Sequence, residues 1–262
     1  MQEKIEKKKE RNSSLELLRI LCMIFIIFHH YAVHSGFAIT CNSIGFNEIL
    51  IKLMSTGGEM ACNIFILISG YFLVESKFSF KRLLKLIIKI IVITSVICIS
   101  LYSFNLVEYN PTHLRIMLQP FFYGPWFIVA YVMLYMISPA LNEMLKKLDK
   151  SQFKKIIAIL LIIKFVIPNL TKNAWSFSAI DGFLVMYIIG AYFKLFTIET
   201  TKNNNKNGII AGSLLIFIML SIVIIQIIGY KTKNQNVIDN ATFFTKINNT
   251  HVKNNMIRLM IV

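Results

Sequence analysis

The sequence predicts an all-α fold: a polytopic membrane helix bundle of about seven transmembrane helices plus the start of an eighth, with a cytoplasmic N-terminus. Three observations predict it. Of the 262 residues, 56% are hydrophobic, and long apolar runs recur between short polar stretches. A bilayer core of about 30 Å takes roughly 20 apolar residues at helical rise, so each run is long enough to cross. No alternating apolar–polar period appears, and open sheet edges cannot face lipid, which removes strands as an alternative. The bases gather in every second connection, as they do when loops sort across a membrane.

The elements follow in order. Residues 1–14 form a charged, solvated tail, residues 15–229 a transmembrane domain, and residues 230–262 a polar segment leading into a further span. The first span covers 17–37 and the second 58–74, with 44–54 between them as an amphipathic segment on the outer surface. The third covers 83–106, the fourth 121–141, the fifth 156–170, the sixth 180–196 and the seventh 208–228. From Tyr230 the chain is polar and Asn-rich until an apolar stretch begins at Met256 and stops at Val262, which reads as a truncated eighth span.

Orientation follows from the bases. Lys4, Lys7, Lys8, Lys9 and Arg11 precede the first span, and Lys77, Lys81, Arg82 and Lys85 follow the second. Lys146, Lys147, Lys150, Lys154 and Lys155 separate the fourth and fifth spans, and Lys194, Lys202 and Lys206 the sixth and seventh. All four groups fall on one side if the N-terminus is cytoplasmic. The net charge of +15 is therefore a topology signal. No nucleic-acid module or basic face interleaved with aromatics accompanies it, which argues against a nucleic-acid partner. Of the four cysteines, Cys22, Cys62 and Cys98 lie in apolar runs and only Cys41 in a connection; without a CxxC, neither a disulfide framework nor a zinc site is expected. The first apolar run is too long for a signal-peptide core and no small-residue cleavage site follows it.

Ionisable and polar groups inside spans are costly and face the bundle or a cavity, so they are the site candidates. Arg19 and His30 stand 11 residues apart in the first span, about three helical turns, which returns them to one face some 16 Å apart along the axis. His34 follows His30 at i+4 on that face, whereas His29 points about 100° away. Arg19 could instead snorkel to the headgroups beside Glu16, and His30 could be a structural histidine. The His30/His34 pair has ligand spacing but no adjacent carboxylate, so no metal is expected. In the second span, Gly57 to Tyr71, small residues permit close helix approach, with Gly70 and Ser69 as structural glue; Asn63 lies near the depth of His30, and Glu59 sits toward the outer surface. Arg82 and Lys85 share a face at the cytoplasmic mouth of the third span and could clamp an anion. Trp126 opens the fourth span as an interfacial aromatic.

With these segments in order, the chain resembles the integral membrane acyltransferase-3 family. The segments are Ser14-Leu15-Glu16-Leu17-Leu18-Arg19, Phe28-His29-His30-Tyr31, and Asn63-Ile64-Phe65-Ile66-Leu67-Ile68-Ser69-Gly70-Tyr71-Phe72-Leu73. Lys81-Arg82-Leu83-Leu84-Lys85 and Pro125-Trp126-Phe127 with Ser138-Pro139 follow. Arginine, ten residues and histidine in the first span is the family's defining feature. The resemblance implies a multi-pass enzyme of the bacterial cytoplasmic membrane that uses acetyl-CoA or another acyl-CoA to modify a cell-surface carbohydrate or lipid-linked glycan. By this resemblance His30 is the general base and Arg19 holds donor phosphate or stabilises developing charge. Arg82 and Lys85 take the positions of a basic pair that contacts coenzyme A, where a second arginine is common. Lys85 keeps the charge without the bidentate fork. Glu59, Asn63 and Trp126 would contact or support the substrate. Relatives have about ten spans, so the family also implies that this chain is short at its C-terminus. Two further readings stand beside the enzyme: a non-enzymatic polysaccharide exporter subunit or carrier, and an inactive truncated relative.

Overall fold

The computed structural model describes residues 13–34, 40, 42–108, 110–119, 126–167, 170, 179–196 and 204–240. Every regular element among them is helical: α1 (Ser13–His34), α2 (Phe46–Leu73), α3 (Phe80–Ser103), α4 (Pro111–Leu118), α5 (Trp126–Lys146) and α6 (Lys150–Leu161). A π-helical turn, Ile162–Val166, continues α6; α7 (Ala179–Phe196), α8 (Asn204–Lys231) and α9 (Gln235–Asn240) follow. Among the described residues five helices are long and apolar enough to cross a membrane: α1, α2, α3, α5 and the Gly212–Lys231 part of α8. The predicted fifth span coincides with α6 and its π-helical turn, and the predicted sixth with α7. The all-α membrane bundle is thus the observed class. The N-terminal tail, Cys41, Pro125 and the apolar stretch from Met256 lie outside the described residues.

Two boundaries differ from the sequence expectation, each for a local reason. The segment 44–54 is not a separate surface helix. It is continuous with the second span in the 28-residue α2, about 42 Å long, and Ile51, Lys52 and Ser55 on it are buried. Gly57 and Gly58 do not break this helix, because they face Phe25 and His29 of α1 and are held by that packing. Helix α6 starts ahead of the predicted fifth span. Asp149 caps it, accepting from the backbone N–H of Ser151 at 2.7 Å and of Gln152 at 2.9 Å, while Gln152 accepts from the Asp149 N–H at 3.0 Å. This capping box carries Lys154 and Lys155 into the first turns of the helix.

Helix α2 is the axis of the bundle, with α1, α7 and α8 against it. The α2–α7 crossing is a backbone-to-backbone contact. A Cβ on Gly70 would overlap the Tyr187 carbonyl, and one on Gly190 would overlap the Leu67 carbonyl. Small residues let helices approach this closely where lipid supplies no hydrophobic drive to associate. Around the crossing Ile66, Ala130, Leu134, Phe183 and Tyr187 form one buried cluster joining α2, α5 and α7. Pro139 interrupts α5 without leaving a bare carbonyl: the Tyr135 oxygen that a residue-139 N–H would have served accepts from Ser138 Oγ at 2.7 Å. Helix α3 joins the rim through Leu83, packed with Val132 and Tyr135. Helix α8 leans on the first turns of α2, where Gln226 Nε2 donates to the Glu48 carbonyl, and Lys52 Nζ, 2% exposed, donates to the Ile238 carbonyl of α9 at 2.9 Å. The bare outer faces of α3 and α8, with Ile93, Val96, Ile216 and Phe217 more than half exposed, are the surfaces a bilayer covers.

Candidate active site

The site candidates of the first span are set by how α1 lies on α2. Arg19 turns inward. Its guanidinium carbon is 5.0 Å from the Phe72 ring centroid and 5.9 Å from that of Phe65, both on α2. A cation over two aromatic faces is held inside the bundle, and the snorkelling alternative does not describe it. Tyr131 of α5 lies within electrostatic reach of the same group. The Arg19 Nε is buried and has no hydrogen-bond partner among the described residues, so the guanidinium retains donor capacity for a ligand.

Three turns along α1 the histidines form a cluster. His30 and His34 stack with ring centroids 5.4 Å apart, as their i+4 spacing requires, and His29 meets His30 edge to face at 5.7 Å. The His30 Nδ1 is buried without a hydrogen-bond partner among the described residues. His29 is oriented instead by α2: its Nδ1 is 2.5 Å from the Ser55 carbonyl oxygen, and its ring rests where a Cβ on Gly58 would be. Asn63 is half-buried on α2, between Gly58 and Phe65 in the chain, and lies roughly 140–160° around the helix from both. Glu59 is exposed and within electrostatic reach of Lys164. Lys164 stands in the π-helical turn and forms an ion pair at 2.7 Å with Asp181 of α7. A π turn rotates the residues beyond it relative to a regular helix, and such turns concentrate at functional sites.

The remaining candidates stay apart from this pair. Arg82 and Lys85 line a groove of about 570 Å³ on α3 together with Leu86, Ile88, Lys89 and Val92. No hydrogen bond or ion pair among the described residues joins that groove to Arg19 or His30. Trp126 begins α5 half-exposed, its ring 5.7 Å from that of Phe183 and 6.0 Å from that of Phe127. Among the described residues no three His, Cys, Asp or Glu side chains gather to hold a metal ion.

Sequence reasoning missed three features of the site. His29 points away from His30 on the helix, and that direction is toward Gly58. The adjacent Gly57-Gly58 pair was the available signal. Tyr131 and the Lys164–Asp181 pair carried no signal, because each depends on which helices become neighbours.

The family model described as an acyltransferase domain matches residues 12–255, a stretch that includes Arg19, His30 and every other candidate named above. No curated protein and no solved structure was found to match the chain. The arginine and histidine that carried the resemblance thus lie on the helix that opens the matched region, within a bundle of membrane-crossing helices. The chain belongs to the acyltransferase-3 family and is a multi-pass membrane acyltransferase.

Proposed function

We propose that the chain moves an acyl group, acetyl in the first instance, from acyl-CoA to a hydroxyl of a cell-surface carbohydrate or lipid-linked glycan. It does so in the bacterial cytoplasmic membrane, with the N-terminus of α1 in the cytoplasm. The observation that carries this reading is the placement of Arg19 and His30 on one helix against α2, within a chain matched to an acyltransferase domain.

Each group has a task its chemistry suits. His30, with a ring nitrogen unpaired among the described residues, removes the proton from the acceptor hydroxyl as its oxygen attacks the thioester carbonyl. Arg19, fixed over two aromatic rings, faces the negative charge that develops on the carbonyl oxygen or the donor phosphates. The α3 groove offers Arg82, Lys85 and Lys89 to the phosphates of coenzyme A; its lysines act as point charges without the bidentate fork of arginine. Glu59 and Asn63 accept and donate hydrogen bonds to acceptor hydroxyls, and Trp126 offers an indole face to a sugar ring.

The test is transfer from radiolabelled acetyl-CoA in membranes carrying this chain, beside His30→Ala and Arg19→Ala. Label in the carbohydrate fraction that drops by roughly 100-fold or more with His30→Ala supports the reading. Label that survives His30→Ala intact removes His30 as the base. No label above empty membranes rejects the acyl-CoA transferase reading for this chain and leaves the exporter and the inactive relative.

A further inference from the structure

The two adjacent histidines are not equivalent. A carbonyl oxygen only accepts, so the 2.5 Å contact between His29 Nδ1 and Ser55 O requires the proton to be on Nδ1. In the neutral ring the lone pair is then on Nε2, at the opposite edge. The ring cannot rotate freely, because one face lies on Gly58 of α2. A base oriented by a third group, with its free nitrogen presented to a site, is the recurring arrangement of side chains that move protons. Among the described residues His30 Nδ1 has no such orienting partner, and His29 meets the ring edge to face with centroids 5.7 Å apart. That separation brings the two imidazoles within the range that one bridging water spans.

We propose that His29 is a second proton carrier of the site, taking at Nε2 the proton that His30 removes from the acceptor hydroxyl. This rests on the acyltransferase reading above and deepens it. The acceptor oxygen forms its bond to the thioester carbonyl carbon, and the carbon–sulfur bond breaks with its electron pair going to sulfur. The hydroxyl proton moves from oxygen to His30, on to His29, and from His29 to the departing sulfur, which leaves as the thiol. No proton or electron is gained or lost over the cycle. The fixed tautomer gives the proton one place to go, and the Ser55 carbonyl stabilises the imidazolium while it lasts.

The deciding variant is His29→Asn in the full chain. The asparagine amide nitrogen stands close to the position of imidazole Nδ1 and still donates to Ser55 O, but it offers no titratable nitrogen. Acetyl transfer is measured in membranes containing equal amounts of the native and variant chains, with kcat and KM for acetyl-CoA separated. The expected result is a fall in kcat of about 100-fold with the donor KM within a few-fold of native. Transfer within threefold of native overturns the inference and leaves His30 acting alone. Native membranes that transfer nothing overturn the acyltransferase reading and this inference with it.

If His29→Asn fails to accumulate, the native chain decides. Diethyl pyrocarbonate acylates an imidazole nitrogen that bears a lone pair, and peptide mass spectrometry locates the adduct. Loss of transfer that tracks modification of His29 in chains whose His30 is unmodified supports the proposal. Full transfer with His29 modified overturns it.

Discussion

Tyr187 Oη donates to Asn142 Oδ1 at 2.8 Å, and Asn142 Nδ2 donates in turn to the Leu73 carbonyl at 3.0 Å. One amide therefore links α7, α5 and the last turn of α2, and Tyr187 is fully buried. Within a membrane bundle such a link holds the helices in one register, because each polar atom has its partner only in that register. Tyr187→Phe removes the donor and leaves the asparagine oxygen buried. The expected loss is about 1 kcal/mol, at the scale measured for hydrogen bonds between membrane helices. Unfolding of the purified protein in a detergent series reads it, and an unchanged midpoint would show the bond contributes nothing.

The crossing of α2 and α7 makes a sharper demand. A Cβ on Gly190 overlaps the Leu67 carbonyl and comes within 3.0 Å of the Tyr71 nitrogen, so backbone on both sides must move. Gly190→Ala should destabilise by about 1–3 kcal/mol through overpacking. Gly212→Ala on α8 meets nothing within 4 Å and should stay within about 0.5 kcal/mol of native. Equal effects of the two variants would remove the close crossing as the reason.

Gly58 connects packing to chemistry. A methyl there occupies the space of the His29 ring, whereas a methyl on Gly57 crowds Phe25 instead. On the proposed function, Gly58→Ala displaces the ring from Ser55 and should lower acyl transfer by roughly 100-fold, the cost of misplacing a reacting group by about 1 Å. Gly57→Ala should retain most of the transfer. Comparable losses in both would point to a general loosening of α1 from α2.

A pH effect is expected away from the spans. His113 on α4 is 3% exposed, with its Nδ1 2.6 Å from the Tyr102 hydroxyl of α3. Burial lowers its pKa from the ordinary 6.5, so the folded chain takes up its proton at a lower pH than the unfolded chain does. The stability it contributes is therefore complete above pH 6.5 and is lost as pH falls from there through the folded value. Backbone amides of α4 should exchange faster at about pH 5 than at about pH 7, after correction for the intrinsic rate. His113→Asn should flatten that dependence. A native α4 equally protected at both values would contradict the assignment.

The sequence by itself determined the fold class, an all-α membrane helix bundle, and the family. Hydropathy is a property of contiguous residues, and the spacing of Arg19 and His30 is a property of one helix, so neither needs a neighbour to be read. The same locality explains the errors. The segment 44–54 looks amphipathic alone, but joins α2 because α8 and α9 cover Lys52 and Glu48, residues far away in sequence. The direction of Arg19 toward Phe65 and Phe72, and the pairing of Lys164 with Asp181 across a π turn, were decided by which helix lies opposite. So was the role of His29. On a helical wheel it points away from His30, and only the approach of α2, close enough to seat a ring on Gly58 and a ring nitrogen on the Ser55 carbonyl, gives that direction a partner. Which backbone atom meets which side chain is set by the register between helices, and register comes from packing, which no single segment contains.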